Sequence, residues 1–130
     1  VPARADGVRV GKEVWLLDGE GRLRRVAGLS TTGAVGVDAT GDAASFALIG
    51  SIRVLPDNRL LIVDQGAHAV RLLSDDGRVV TLVGRLNLPG RATGPLPGIL
   101  DRPLDAFPVG KDIYISTQSL PNLLRASNAL

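Results

Sequence analysis

Asp64 and His68 are the residues whose types and spacing come nearest to a catalytic or metal site, since the only histidine lies four residues after a carboxylate. A carboxylate and an imidazole can bind a metal ion together or move protons. They can equally cap a turn between two strands, with Asp64 accepting backbone N–H bonds, and we favour this interpretation. The sequence contains no G-x-S-x-G motif to suggest a serine nucleophile. It therefore predicts no catalytic residue, no cofactor and no metal site.

The stretch 31–42 combines glycines and threonines with two carboxylates, Asp38 and Asp42. Its glycines match neither G-x-G-x-x-G nor G-x-x-x-x-G-K-[ST], so a phosphate loop is not indicated. Two carboxylates outside the EF-hand pattern make a thin Ca²⁺ site. We expect the glycines to serve a turn-rich connection and the acids to be solvated.

Arginines form a basic set that suggests a nucleic-acid surface as a rival interpretation. The set comprises Arg22, Arg24, Arg25, Arg53, Arg59, Arg71 and Arg78. Aspartates and glutamates interleave with these arginines, and aromatic residues for base stacking make up only 3% of the chain. We expect cross-strand ion pairs instead.

Residues 52–84 predict four short strands, at 52–55, 60–63, 69–73 and 79–83. Each run is short and rich in Val, Ile and Leu, which is typical of a strand and too short for a helix. Asp76-Gly77 indicates a hairpin, because glycine readily takes the positive φ of a tight turn. Four strands with short connections predict an antiparallel meander the size of one propeller blade.

The segment 6–28 can be aligned with this central segment in two registers. In the first, Asp18 matches Asp64 and the run 14–17 becomes a second strand. In the second, Gly28 matches Gly84 and the same run becomes a third strand. We favour the first, because residues 6–16 align without gaps with 105–115, and both segments read as strand, Gly-Lys turn and strand with one aromatic residue. Repetition at this length is typical of repeat architectures.

The central segment resembles one NHL repeat. The resemblance is carried by an apolar pair before Asp64, then His68, Val70-Arg71, Asp76-Gly77 and Val80 through Gly84. The preceding residues 26–46, with Gly28, Gly33, Gly36, Asp38, Gly41 and Phe46, resemble the Gly-rich crossover between consecutive NHL blades. Ala67 stands where the family usually has Asn, and Ile49 where it usually has Pro. The resemblance implies that Asp64, His68, Arg71, Asp76, Gly77 and Gly84 are structural residues of a blade.

On this basis residues 1–130 form one all-β domain. It comprises a partial first blade at 6–28, a Gly-rich crossover at 29–46, a complete central blade at 47–84, a Pro/Gly-rich crossover at 85–103 and a partial last blade at 104–130. Residues 42–48 and 120–130 are predicted to be non-helical. Rings of this family have about six blades of roughly 40 residues each. The resemblance therefore implies a partial propeller of four-stranded antiparallel NHL-like blades, completed by other chains or by missing sequence.

The composition excludes several classes of protein. A hydrophobic content of 45% argues against disorder, and the absence of cysteine removes disulfides and thiolate sites. The formal net charge of +2 gives little support for an anionic partner. No apolar run reaches the roughly 18 residues that span a bilayer. The chain begins with Val1 and contains no Met, as would a protein freed of a signal peptide or an excised fragment. With the resemblance to NHL proteins, many of which work outside the cytoplasm in bacteria, this leads us to expect a secreted or periplasmic location.

The predicted function is a non-enzymatic protein-interaction or assembly module built from these blades. Its partners are proteins, either further copies or a larger complex that closes the ring, through strand edges at 8–10 and near 123–124. Trp15 and Tyr114, at matching places in the first and last repeats, either form an interaction pair or pack between blades. The resemblance leaves two alternatives, a metal-dependent lyase or lactonase-like hydrolase with its site on the central axis, and an RNA-binding surface.

Overall fold

A computed structural model of the chain describes residues 6–10, 13–17, 19–28, 37–90, 94–118 and 123–130. This part of the chain is built from β-strands, with one short 3-10 turn at Gly41–Ala43 and no α-helix, so the all-β prediction is confirmed. The strands are β1 Asp6–Val10, β2 Glu13–Leu17, β3 Leu23–Ala27, β4 Ile49–Val54, β5 Leu60–Asp64, β6 Ala69–Leu73, β7 Val79–Val83, β8 Pro103–Val109, β9 Asp112–Thr117 and β10 Leu123–Ala126. Across the described residues, no helix has the length and apolar character needed to cross a membrane.

The middle sheet is an antiparallel meander in the order β4-β5-β6-β7. Strands β6 and β7 coincide with the predicted runs, β5 ends one residue later, and β4 begins three residues earlier and ends one residue earlier. The turns contain the expected residues. Asn58, with φ 69°, lies in the turn between β4 and β5, and Gly77, with φ 85°, lies in the turn between β6 and β7. Positive φ is accessible to glycine without strain and to asparagine at small cost, which is why these residues fix the turns.

Two three-stranded antiparallel sheets flank the middle one. The first sheet has the order β1-β2-β3, and the third sheet has the order β10-β9-β8. The segments 8–10 and 123–124, predicted as strand edges, therefore lie in β1 and β10, each of which borders its sheet. A border strand leaves one row of backbone N–H and C=O groups without a neighbour in its own sheet.

Two hydrophobic cores separate the three sheets. One joins Val14 and Ala27 of the first sheet to Leu60, Ile62 and other residues of the middle sheet. The second joins the opposite side of the middle sheet to the third sheet. It contains Leu61, Val63, Val70, Leu72, Ala106, Ile113 and Ile115. The strands β5 and β6 are buried along their whole lengths because both of their faces are covered.

The first sheet corresponds to the last three strands of the middle sheet, so the favoured register is wrong. A register shift between Val14 and Trp15 interrupts the pairing of β2 with β3, and the same shift interrupts the pairing of β6 with β7 between Val70 and Arg71. Gly28 and Gly84 follow these strands with φ of 99° and 89°. Gly28 therefore matches Gly84, and Trp15 occupies the position of Arg71.

The third sheet corresponds instead to the first three strands of the middle sheet. The pairing of β8 with β9 shifts register between Pro103 and Asp105, as the pairing of β4 with β5 does between Ile49 and Ser51. Tyr114 consequently occupies the position of Leu61. Trp15 and Tyr114 are not at matching places, although each pairs with its neighbouring strand through an equally short hairpin.

Candidate functional site

Arg71 is the centre of a buried ion network on the middle sheet. Its side chain is fully buried. Its guanidinium donates hydrogen bonds to Asp64 Oδ2 at 3.0 Å, to Asp38 Oδ1 at 3.0 Å, to the Val37 carbonyl at 2.7 Å and to the Ser45 carbonyl. The Phe46 ring centroid lies 4.6 Å from the Arg71 guanidinium carbon. A buried guanidinium needs such compensation, because removing it from water is costly unless its N–H groups are paired.

Asp64 completes the network from the neighbouring strand. Its carboxylate, which is also fully buried, accepts N–H bonds from Ala47, Leu48 and Ala67 at 3.0 to 3.2 Å. It therefore caps the turn after β5, as predicted, and also fastens the segment that leads into β4. Both Asp64 oxygens and both terminal guanidinium nitrogens of Arg71 thus hold backbone in place, while Arg71 Nε bonds to Asp38 Oδ1 at 3.3 Å.

Asp38 has a role that the sequence did not indicate. Instead of being a solvated acid, it pairs with Arg71 and accepts bonds from the Thr81 N–H and the Thr81 hydroxyl, both at 3.0 Å. Two strands of the middle sheet are thereby connected to the segment 37–48. The glycines at 33 and 36 lie outside the described residues, so the expectation that they serve a turn-rich crossover and not a phosphate loop stays a prediction.

His68 lies apart from Asp64 and faces the start of the third sheet. It adopts φ 58°. Its Nδ1 accepts the Arg102 N–H at 3.1 Å and lies 3.6 Å from Asp101 Oδ1. Within the described ranges, no cluster of three or more His, Cys, Asp or Glu side chains is placed to hold a metal ion. The geometry of His68 therefore serves the connection between sheets.

The remaining residues of the NHL-like motif shape backbone turns. Asp76 Oδ1 accepts the Arg78 N–H at 3.0 Å. Gly77 donates to the Ser74 carbonyl and accepts from the Gly41 N–H at 2.8 Å, which ties this hairpin to the crossover. Gly84 has φ 89°, and a Cβ placed there would lie 2.5 Å from the His68 carbonyl oxygen. Only glycine fits at this position.

Three of the four candidate interaction residues of the first sheet, Trp15, Arg22 and Arg25, are paired with acidic side chains. Arg22 forms an exposed pair with Glu20 at 2.8 Å. Glu13 accepts bonds from Arg25 and from Trp15 Nε1, each at 3.2 Å. Arg24 is exposed and lies on the face of β3 opposite to Arg25. Tyr114 lies opposite Phe107 and Arg125 on the third sheet. The arginines therefore do not form one continuous basic stripe.

Arg53 and Asp105 link the middle and third sheets. Arg53 donates to Asp105 Oδ2 at 2.8 Å and to the Ala106 carbonyl at 2.8 Å, and Ser51 donates to Asp105 Oδ1 at 3.0 Å. Partial burial raises the pKa of Asp105, but hydrogen bonds from Arg53, the Ala106 N–H and Ser51 outweigh that effect and hold the pKa below its ordinary value of 3.8. The carboxylate is thus stabilised in its charged form.

Each flanking sheet has an outer face, defined as the side that points away from the middle sheet. Leu23 lies on the outer face of the first sheet, because its partner Leu17 alternates with the core-facing Leu16. Val109 and Leu123 lie on the outer face of the third sheet, because they alternate with residues that pair with Ile113 and Ile115 of the core. These three side chains are 57%, 59% and 59% exposed. The outer faces are the candidate interaction surfaces of the chain.

Comparisons with known proteins support the fold. No protein-family model matches the sequence, and no curated protein matches it. A structural genomics protein of unknown function from Bacteroides thetaiotaomicron is similar in structure, with a TM-score of 0.71 and 24% identity over 87% of this chain. An auxiliary nutrient binding protein from the same organism has a TM-score of 0.62 and 20% identity over 79% of this chain. The matched region is only 29% of the length of each of those proteins. At such identities the likeness bears on the fold alone.

Proposed function

We propose that the chain is a section of a β-propeller that serves as a non-enzymatic protein-interaction and assembly module. Further sheets, from other chains or from additional sequence, close the ring. Partners are recognised through the outer faces and border strands of the first and third sheets.

The repeated packing of the sheets carries this proposal. Strand β1 lies against β4 and strand β5 lies against β8. Since β1 corresponds to β5 and β4 corresponds to β8, the step from the first to the middle sheet repeats in the step from the middle to the third. A step repeated between twisted sheets leads to a radial arrangement such as a propeller.

The lengths of the similar structures are in line with a section of a larger assembly, since each is more than three times as long as the region it shares with this chain. The charges of Asp38, Asp64 and Arg71 hold backbone in place, which supports a structural role for these residues. One similar structure is an auxiliary nutrient binding protein, and a binding role outside the cytoplasm is part of the proposal. The enzyme and RNA-binding alternatives stay predictions, because nothing in the described part of the chain favours either.

An experimental structure of the purified protein in its assembled state tests the proposal. The expected result is a ring in which further sheets cover the outer faces of the first and third sheets. A stable particle of three sheets with both outer faces in solvent would contradict it.

A further inference from the structure

The turn between β5 and β6 binds both ends of the connection from the middle sheet to the third sheet, residues 84–102. Near the start of that connection, the Ala67 carbonyl accepts the Asn87 N–H at 2.9 Å. At its end, His68 Nδ1 accepts the Arg102 N–H at 3.1 Å. The first bond joins two backbone groups, which do not change their charge with pH, whereas the second depends on an imidazole that can take up a proton.

His68 Nδ1 lies near two groups that require opposite protonation states of this atom. To accept the Arg102 N–H, Nδ1 must be unprotonated, since a ring nitrogen that carries a hydrogen can only donate. The Asp101 Oδ1 atom lies 3.6 Å from the same nitrogen, and this oxygen can bind only a protonated Nδ1. The protonation of one atom therefore decides which of two neighbouring residues His68 binds.

Arg102 has a backbone conformation that its sequence context does not favour. Its φ of 45° lies in the left-handed region, which costs energy in residues other than glycine. Arg102 also precedes Pro103, and a residue before proline prefers an extended conformation. It is held in place by the bond to His68 and by two longer bonds with Gln118, whose N–H donates to the Arg102 carbonyl and whose Oε1 accepts from the Arg102 guanidinium, both at 3.4 Å. Loss of the shorter bond therefore favours a change of backbone conformation at this residue.

The charges around the imidazole favour its pairing with Asp101 once it is protonated. The imidazole and the Asp101 carboxylate are both partly buried, so water and salt screen their attraction only in part. The Arg102 guanidinium binds Gln118 Oε1 instead of approaching the ring. On β5, β6, β8 and the described parts of the connection, the other charged groups are Asp64 and Arg71, which pair with each other, Asp105, which pairs with Arg53, and Arg85, which is exposed.

We propose that His68 is a pH-sensitive latch on the end of this connection. With a neutral imidazole, His68 holds Arg102 in the left-handed conformation and fixes the end of the connection to the middle sheet. A proton on Nδ1 removes the acceptor, brings the imidazole to Asp101 and lets Arg102 relax towards the extended conformation that Pro103 favours. The start of the connection stays bound, because its bond joins backbone groups. This inference goes beyond the proposed function and applies whether or not further sheets close a ring.

Nitrogen-15 NMR of the purified protein tests the proposal between about pH 8 and about pH 5, the range in which histidine ordinarily changes its charge. At pH 8 we expect the hydrogen of the His68 ring on Nε2 and none on Nδ1. As His68 takes up a proton, the Arg102 amide signal should shift with the same midpoint. Its protection from hydrogen exchange, corrected for the intrinsic effect of pH, should fall about 3- to 10-fold, as expected for the loss of one hydrogen bond. The Asn87 amide is the internal control and should keep its protection.

Two variants separate the acceptor from the proton. His68→Asn keeps a residue that tolerates positive φ and an oxygen that can accept the Arg102 N–H at every pH, so Arg102 should stay protected at pH 5. Asp101→Asn removes the anionic partner, so the Arg102 amide should change at a lower pH than in the wild type. Thermal melting verifies that both variants fold, and the wild-type comparison of Arg102 with Asn87 decides the matter if either does not.

Four results would overturn the proposal. These are a hydrogen on Nδ1 at pH 8, an Arg102 amide that does not respond when His68 is protonated, an equal response of Arg102 in His68→Asn, and an unchanged midpoint in Asp101→Asn.

Discussion

The middle and third sheets share strand registers and bulges, yet they hold their preceding connections by different chemistry. In the middle sheet, Arg71 and Asp64 bind the segment 37–48 through buried charges. At the corresponding positions the third sheet has Leu124 and Thr117, and Leu100 is buried where the middle sheet has Phe46. An ionic arrangement and a neutral one thus support the same architecture.

The difference follows from what each connection does with its backbone. The Val37 and Ser45 carbonyls each accept the backbone N–H of the other residue at 3.1 Å, and Arg71 adds a second donor to both. In the connection before the third sheet, the Gly90 N–H is bound to the Leu100 carbonyl at 3.1 Å and the Gln118 N–H is bound to the Arg102 carbonyl at 3.4 Å. The buried charges therefore reinforce a connection that also has backbone bonds, and the strand registers of the third sheet form without them.

Removing the charge of Arg71 from the middle sheet should have the largest effect on stability. Arg71→Leu leaves Asp64 buried without its cation, so we expect the free energy of unfolding to fall by about 3 to 5 kcal/mol. Urea denaturation followed by circular dichroism measures it. The control is Arg78→Leu on an exposed turn, which should change stability by less than about 0.5 kcal/mol.

The double variant Asp64→Thr with Arg71→Leu gives the middle sheet the neutral residue types that the third sheet has at these positions. It tests whether the neutral arrangement can replace the ionic one. Removing both charges should cost less than removing Arg71 alone, with a coupling energy of about 1 to 3 kcal/mol in a double-mutant cycle. Strictly additive losses would show that the ionic and neutral arrangements are not interchangeable.

The next largest effect on stability is expected at Gly84, at the start of the connection to the third sheet, where the backbone lies close to the His68 carbonyl oxygen. Gly84→Ala places a Cβ against the His68 carbonyl oxygen and forces alanine into the left-handed region, so we expect a loss of about 2 to 3 kcal/mol. Gly110 has φ 62° but open space around it. Thermal melting of Gly110→Ala should therefore show only the backbone strain, about 1 kcal/mol. Equal losses would mean that the contact at Gly84 relaxes freely.

The ion pair between Arg53 and Asp105, which links the middle and third sheets, should have the smallest effect on stability. This effect depends on pH. The pKa of Asp105 is lower in the folded protein than its ordinary value of 3.8. The contribution of Asp105 to stability is therefore fully present above pH 3.8 and is lost as the pH falls through the lower pKa of the folded protein. Its carboxylate is 38% exposed, so the contribution is under about 1 kcal/mol. Asp105→Asn should narrow the difference in stability between pH 6 and pH 3, measured by urea denaturation. An unchanged difference would exclude Asp105 as a source of the acid sensitivity.

The strands of the middle sheet could be predicted from the sequence because short apolar runs alternate with turn residues there. The correspondence of the first sheet could not be predicted in this way. Residues 6–16 match 105–115 because each segment holds two paired strands separated by two residues, and such a pair can be either the first and second or the second and third strands of a four-stranded sheet. The correspondence of the first sheet depends on a bulge and on Gly28, which local patterns do not distinguish. The Asp38–Arg71 pair was also missed, because the two residues are 33 positions apart and no local motif connects them.

The network around Arg71 also sets the boundaries of the unit that can be inherited or exchanged as a whole. Its carbonyl and carboxylate partners begin at Val37, twelve residues before the first strand of the sheet that contains Arg71. A duplication, deletion or graft that started at Ile49 would keep Asp64 but would separate the buried cation from Asp38 and from the Val37 and Ser45 carbonyls. The smallest portable piece of this fold is therefore 37–83, a connection together with the sheet that follows it.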